Sequence, residues 1–417
     1  MAKGRFNIIR SLGIYTLSNI LNAAIPFLLL PILTNYLSPS DYGVLSNFGA
    51  LVNIMIPLVG INLMASVQVQ YLKDEVDNQS YLSSGFRLAL GLTLLFSVIL
   101  LFSANILADL IGVPPEFLYV VAIYALFNTV VEVLLAIWRM EDKAFNYGLF
   151  RIGRTMLELS LVLVFVVGFG LSFEGSIYGM IIAYASACIV ALIILRNKKL
   201  LFGSFSTDYL KHAISYGVPL IPHTLSGVAI MYSDKLILTH YHGLAANGIY
   251  TVGFLVGQII GLLQNSFNQA WVPWVFQKLK AGNSQDKIRM VKMTYIYIIG
   301  ILILVFLLWL MMPFIYTFFN KEYAGGMKLV LWIALGFAFN GMYKMVSVYL
   351  FYLEKTMIIA YVSIGAAALN VVLNFVMIPE YGADGAAWAT TSAFATQFVI
   401  TWLISAKLMK MPWLLRK

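Results

Sequence analysis

The chain has 417 residues, 61% of them hydrophobic and only 11% charged, with a net charge of +9. A soluble domain carries about 25% charged residues to cover its surface, so this composition excludes a soluble enzyme, a large extramembrane domain and a disordered chain. The cation excess reads as loop asymmetry in a membrane protein rather than a nucleic-acid surface, and the single cysteine, Cys188, excludes a disulfide framework.

A membrane-crossing helix needs about 20 predominantly apolar residues. In chain order, the apolar runs predict twelve such helices, the first six at 10–35, 42–67, 86–110, 117–138, 150–170 and 175–195. The other six are expected at 212–239, 246–271, 291–318, 327–352, 356–378 and 385–406. The expected fold is therefore all-α and polytopic, in two six-helix lobes at 1–205 and 206–417. No cleavable signal peptide is expected, because the turn Ser38-Pro39-Ser40-Asp41 follows the first run where a small-residue cleavage site would be needed.

Orientation follows from the basic residues. Of 27 lysines and arginines, 23 fall at the termini and in alternate connections, and only Lys235, Lys321, Lys328 and Lys344 fall elsewhere. The positive-inside rule places the basic side, with both termini, in the cytoplasm. The sequon Asn78-Gln79-Ser80 then lies on the cytoplasmic side and reads as chance.

The chain repeats itself. Leu33-Thr34-Asn35-Tyr36 recurs as Leu238-Thr239-His240-Tyr241, a shift of 205 residues that also pairs Gly43 with Gly248 and Ile54 with Ile259. A shift of 210 pairs Leu159 with Leu369, Phe165 with Phe375 and Gly175 with Gly385. A displacement by six spans preserves orientation, so the halves read as parallel repeats. Transporters built this way bind substrate between their halves near the midplane.

Ionisable residues inside spans are costly and usually face a cavity or a partner. Lys344 lies about ten residues from the end of its span, too deep for easy snorkelling. It is either a cation facing a hydrated cavity or one half of an interhelical pair. Asp234 and Lys235 sit together in the seventh span, where the lysine either snorkels or binds substrate and the shorter aspartate cannot snorkel. Glu158 reads as an ion pair with Arg154 four residues earlier. Glu132 has no such neighbour in its helix and is a candidate for proton coupling. Arg10 and Arg87 stand at cytoplasmic helix ends, either as anchors or as first contacts for phosphate. Amides cluster in the first, second and eighth spans; Asn19, Asn22, Asn47, Gln258 and Asn265 are substrate-binding candidates. They either line a hydrated path or join helices. There is no Walker loop, His240 and His242 lack co-ligands, and the tail from Lys407 reads as an interfacial anchor.

Several of these runs resemble a known family. Tyr15-Thr-Leu-Ser-Asn19 through Leu37-Ser-Pro-Ser-Asp-Tyr-Gly43 is similar to the first-helix signature of bacterial polysaccharide transporters, as are Tyr232-Ser-Asp-Lys-Leu236 and Gly248-Ile-Tyr250. Asn370-Val-Val-Leu-Asn374 and Ile378-Pro-Glu-Tyr-Gly-Ala-Asp-Gly-Ala-Ala387 resemble the family's last hairpin. Together they resemble the O-antigen-type lipid-linked oligosaccharide flippases of the multidrug/oligosaccharidyl-lipid/polysaccharide exporter superfamily. That resemblance implies a non-enzymatic flippase in the bacterial inner membrane with a V-shaped pair of lobes. The implied substrate is a polyprenyl-diphosphate-linked oligosaccharide. Membrane lipids and polysaccharide polymerase or assembly proteins are the implied partners, and no nucleic acid is expected.

Resemblance to the lipid II flippases further implies a sodium site at Asp234, Asn370, Asn374, Thr390 and the Ala386 carbonyl. Asn374 stands where that pattern has an acid, so a weak sodium or proton site is the expectation; no other cofactor is. A cation-coupled antiporter of organic cations is the alternative function, and it would favour acids over Lys344 in its cavity.

Overall fold

The computed structural model describes residues 18, 21, 22, 27–73 and 75–414. Arg10 and Asn19, and most of the expected first span, lie outside the described residues. The described residues are helical throughout their regular structure, as the long apolar runs predict.

Eight helices among them are long and apolar enough to cross a membrane. Two hold more than one crossing. The stretch Thr207–Ala281 is broken at Gly243 (φ 81°, ψ 174°), inside the helix Ile221–Gly257, and Thr356–Leu408 is broken at Gly382 (φ 55°, ψ −130°). Both torsion pairs are backbone regions that only glycine enters cheaply, and they fold each rod into an antiparallel pair. The expected fifth span appears as Ala144–Leu163, extended by a π-helical turn Val164–Gly168. Its charges Arg151, Arg154 and Glu158 keep it out of the apolar eight. The twelve-span count is consistent with these helices.

Local chemistry sets the helix ends. Pro39–Gly60 begins on a capping box: the Ser38 backbone N–H and hydroxyl donate to Asp41 Oδ2 at 2.8 and 2.7 Å, and the Asp41 N–H donates back to Ser38 Oγ at 3.2 Å. Asp77 and Asn283 cap Asn78–Ile111 and Ser284–Ile315 by accepting from the backbone two residues on. Between Pro39–Gly60 and Leu63–Gln70 the chain breaks at Ile61 and Asn62, both at positive φ.

The chain forms two compact units. One comprises Met1–Leu29 with Val44–Val228, the other Leu30–Gly43 with Ala229–Lys417. Two segments depart from a cut after residue 205, for identifiable reasons. Residues 206–228 are tied to the first unit: Asn62 Nδ2 donates to the Gly217 carbonyl at 3.3 Å, Tyr81 Oη lies 3.0 Å from His212 Nδ1, and Gln70 also meets His212. Residues 30–43 are tied to the second. There Asn35 Nδ2 donates to Phe318 O at 3.2 Å, the Tyr323 hydroxyl to Leu37 O at 2.8 Å, and Asn247 Nδ2 to Gly43 O at 3.3 Å.

The first unit is built around Leu82, Leu134, Ile137, Ala191 and Leu195, and the second around Tyr250, Phe254, Ile333, Phe337 and Ala386. Alanine and glycine let the backbones approach closely, which is how helices gain contact in a solvent as apolar as themselves.

Loops at the lysine-rich end of the first unit are joined by one carboxylate. Glu141 receives Lys198 Nζ at 2.6 Å, the Tyr71 hydroxyl at 2.6 Å and Lys143 Nζ at 2.9 Å. Partial burial alone pushes this carboxyl upward, but hydrogen bonds from Lys198, Tyr71 and Lys143 outweigh it and hold it down at about 2. A depressed carboxylate stabilises the fold above its unfolded value and loses that contribution as pH falls through the folded one. Glu141→Gln is therefore expected to cost about 1–2 kcal/mol at neutral pH. The gap to wild type should close between roughly pH 4 and pH 2. Thermal unfolding of both proteins across that range checks it, and a gap independent of pH contradicts the assignment.

Candidate functional site

Two polar clusters in the second unit collect most of the expected site residues. The first is enclosed. Asp234, Asn370 and Asn374 are fully buried, as are Ala386 and, nearly so, Thr390. Asp234 Oδ1 accepts from the Lys235 backbone N–H at 2.8 Å, and Oδ2 accepts from the Tyr250 hydroxyl. The Thr390 hydroxyl is also within reach of the carboxylate. Asn370 Nδ2 donates to Thr390 Oγ1 at 3.1 Å, while its Oδ1 accepts from Ser233 Oγ at 3.1 Å and from Asn374 Nδ2 at 3.2 Å. Residues from both arms of the Thr356–Leu408 hairpin thus meet the helix that carries Asp234.

One atom in this cluster is left over. Asn374 Oδ1 is buried without a hydrogen-bond partner. This carbonyl is linked through Asn370 to Thr390 and so to the Asp234 carboxylate, and together they offer hard oxygen donors of the kind that fits a small hard cation. Among the described residues no group of three His, Cys, Asp or Glu side chains is placed to hold a metal. A monovalent ion held largely by neutral oxygens suits this donor set better than a divalent one.

Lys235, adjacent in sequence, is turned inward. It is 5% exposed, and its ammonium lies 4.6 Å from the Tyr232 ring and 4.2 Å from the Phe254 ring. Cation–π contacts on two sides and the neighbouring Asp234 charge satisfy it inside the unit, away from the surface.

The second cluster is open. Lys344 Nζ donates to Asn265 Oδ1, with Asn265 on an exposed position of the helix Ile259–Ala281. One turn away, Gln264 Nε2 donates to Asn340 Oδ1 at 3.1 Å, and the buried carbonyl oxygens of Gln264 and Asn268 have no partner. Among the described residues no carboxylate lies within ion-pair distance of Lys344. A half-buried ammonium held by a neutral amide, with no counter-charge beside it, can pair with an anion that enters. Phe267 on the same helix is partly exposed and stacks at 6.2 Å on Trp271.

The remaining expected residues scatter. Asn47 is fully buried and donates to Ile111 O at 2.6 Å, tying two helices together. Asn22 accepts from the Thr155 hydroxyl, and Gln258 is half-buried at the helix junction after Gly257. Arg87 donates to Gly203 O at 3.2 Å and packs 5.9 Å from the Phe205 ring. Glu132 lies near Tyr184, over whose ring the Arg154 guanidinium sits at 4.2 Å. Arg154 also pairs with Glu158 at 3.5 Å, so the first unit has its own charged centre.

Sequence reasoning passed over Ser233, Tyr250 and Tyr184 as site residues. For the first two a signal existed, since Tyr232–Leu236 and Gly248–Tyr250 carry the family resemblance. Tyr184 offered none.

Residues 8–279 match the family described as polysaccharide biosynthesis protein. An uncharacterized membrane protein of Haemophilus influenzae is 23% identical over 372 residues, covering 86% of this chain and 87% of that protein. Among solved structures, an inward-facing multidrug resistance MATE family transporter of the MOP superfamily aligns with a TM-score of 0.75 at 14% identity, over 94% of each chain. The lipid II flippase MurJ in an inward closed conformation aligns at 0.70 and 16% identity, over 98% of this chain and 88% of that one. At such identities the likeness speaks for the fold.

Proposed function

Because this chain belongs to the polysaccharide biosynthesis protein family, a family of membrane transporters in fold, we propose that it flips a polyprenyl-diphosphate-linked oligosaccharide from the cytoplasmic to the outer leaflet. The observation that carries this reading is Lys344, an ammonium on a membrane-length helix with only the Asn265 amide for company. A diphosphate needs such a cation, and sugars need amides and aromatic faces of the kind beside it. An exporter of organic cations would gain nothing from a positive charge there. In this reading both termini lie in the cytoplasm of a bacterial cell, with the protein in its inner membrane. The two lobes alternate access to the substrate.

Coupling is assigned to the enclosed cluster. Asp234, Asn370, Asn374 and Thr390 would hold a sodium ion, with Ala386 contributing its carbonyl; a proton on Asp234 is the other form of the same device. A bound cation would neutralise Asp234 and favour one arrangement of the surrounding helices, which makes the ion gradient a driving force.

Complementation of a strain lacking a defined flippase, with the accumulated lipid-linked sugar identified, tests the function. Restored surface polysaccharide without a change in drug resistance supports the flippase; drug resistance alone favours the antiporter. Lys344→Ala is expected to lower flipping roughly tenfold or more, the value of one charge-assisted hydrogen bond, with Lys344→Arg retaining most of it. Unchanged flipping in the alanine variant removes Lys344 from the substrate path.

A further inference from the structure

A cavity of about 440 Å³ opens in the first unit, between the helices Asn78–Ile111, Val121–Met140 and Phe173–Asn197. Phe86, Leu90, Phe127, Cys188 and Leu192 line it, and Arg87 stands among them as its one charged group. The cavity is not sealed inside the protein. Leu90 is 50% exposed and Phe202, at its rim, 80%. Leu94, Val98 and Ile189 continue the same apolar exterior, the surface a membrane-spanning protein gives to lipid tails.

Arg87 lies nine residues inside the start of its helix and Cys188 nine before Asn197. The lysine-rich loop 198–205 closes one end and is pinned there: the Gly203 N–H donates to Ser83 Oγ at 2.7 Å, and Arg87 donates to Gly203 O. Phe202 is held at φ 62°, an uncommon conformation for a non-glycine residue.

We propose that this cavity is a binding site for an anionic membrane phospholipid, one acyl chain filling the slot and its phosphodiester resting on Arg87. The charges match. Arg87 has no acidic partner among the described residues, and the neighbouring Lys198 is already paired with Glu141. One guanidinium with most of its N–H donors open balances a phosphodiester carrying one negative charge. A polyprenyl diphosphate carries more charge than this single cation offsets. The site therefore takes a resident lipid rather than the flipped substrate, and it requires only that the chain spans a membrane.

Cys188 makes the test specific, because it is the chain's single thiol and lines the slot. The full chain is placed in nanodiscs of phosphatidylglycerol or of phosphatidylcholine and treated with a membrane-permeant maleimide. Alkylation is expected to be several-fold slower in the anionic lipid, and Arg87→Gln should abolish that difference. In parallel, native mass spectrometry of the detergent-washed protein should find about one phosphatidylglycerol per chain. Leu126 also lines the slot, and Leu126→Trp, which fills it, should lose the lipid while keeping the wild-type unfolding temperature. Equal alkylation in the two lipids, retention unaffected by both substitutions, or a retained polyprenyl phosphate in place of phospholipid would each overturn the proposal.

Discussion

Gly248→Leu is expected to destabilise the fold by about 3 kcal/mol or more. A Cβ at Gly248 would lie 1.7 Å from the Pro39 carbonyl oxygen, and one at Gly43 would lie 2.2 Å from that of Leu244. Both obstacles are backbone atoms in helix starts, so no side-chain rotation relieves them. Overpacking a core ordinarily costs about 1–3 kcal/mol, and an overlap this deep should reach or exceed the upper end. The two contacts are one arrangement seen twice. The shift of 205 residues that carries Gly43 onto Gly248 also carries Pro39 onto Leu244, so each half supplies the glycine that its counterpart's carbonyl needs. Gly43→Leu should accordingly behave as Gly248→Leu does. Gly300→Ala is the control: open space surrounds it within the helix Ser284–Ile315, and alanine there should be neutral or stabilising by up to about 1 kcal/mol. Thermal unfolding in detergent reads all three. Wild-type unfolding temperatures for both leucine variants would mean that the helix starts do not cross this closely.

Asp234→Asn should uncouple transport from the cation gradient, lowering gradient-driven flipping by roughly 5–150-fold, the span of ordinary coupling free energies. This substitution alone is ambiguous. It also strands the buried Lys235 ammonium, and an uncompensated buried charge costs about 3–5 kcal/mol. The double variant Asp234→Asn/Lys235→Met removes both charges together. It should regain most of the lost stability and none of the coupling. If it regains coupling as well, Asp234 serves only to hold Lys235 in place. Asn374→Asp provides the converse, since it adds a carboxylate where an unpartnered carbonyl oxygen now stands, and should tighten cation dependence. Flipping measured in proteoliposomes under imposed sodium or proton gradients separates these outcomes.

The contrast between these two positions says how far a sequence can be read. Gly248 was visible as half of a repeat, yet nothing in the repeat says that two helix starts touch. Asp234 stood out as an ionisable residue inside a span, but its grouping with Asn370, Asn374 and Thr390 was visible only through family likeness, Asp234 and Asn370 being 136 residues apart. Their partners Ser233 and Tyr250 lay inside quoted motifs without a stated role. Lys344 and Asn265 were each singled out, but their pairing across 79 residues was not.

By itself the sequence determined the solvent, the crossings and the repeat. Each depends on local properties: the length of an apolar run against the bilayer, a glycine or proline that breaks it, the lysines at its ends. Only the tertiary structure decided which polar residues serve the fold and which remain open to a ligand. Asn47 is consumed by the Ile111 carbonyl and Lys235 by two aromatic rings, while Lys344 meets a single amide. The physical reason is rotation about the helix axis. A change of 100° per residue sends neighbours to different faces, and what each face meets is set by packing against helices far away in the chain.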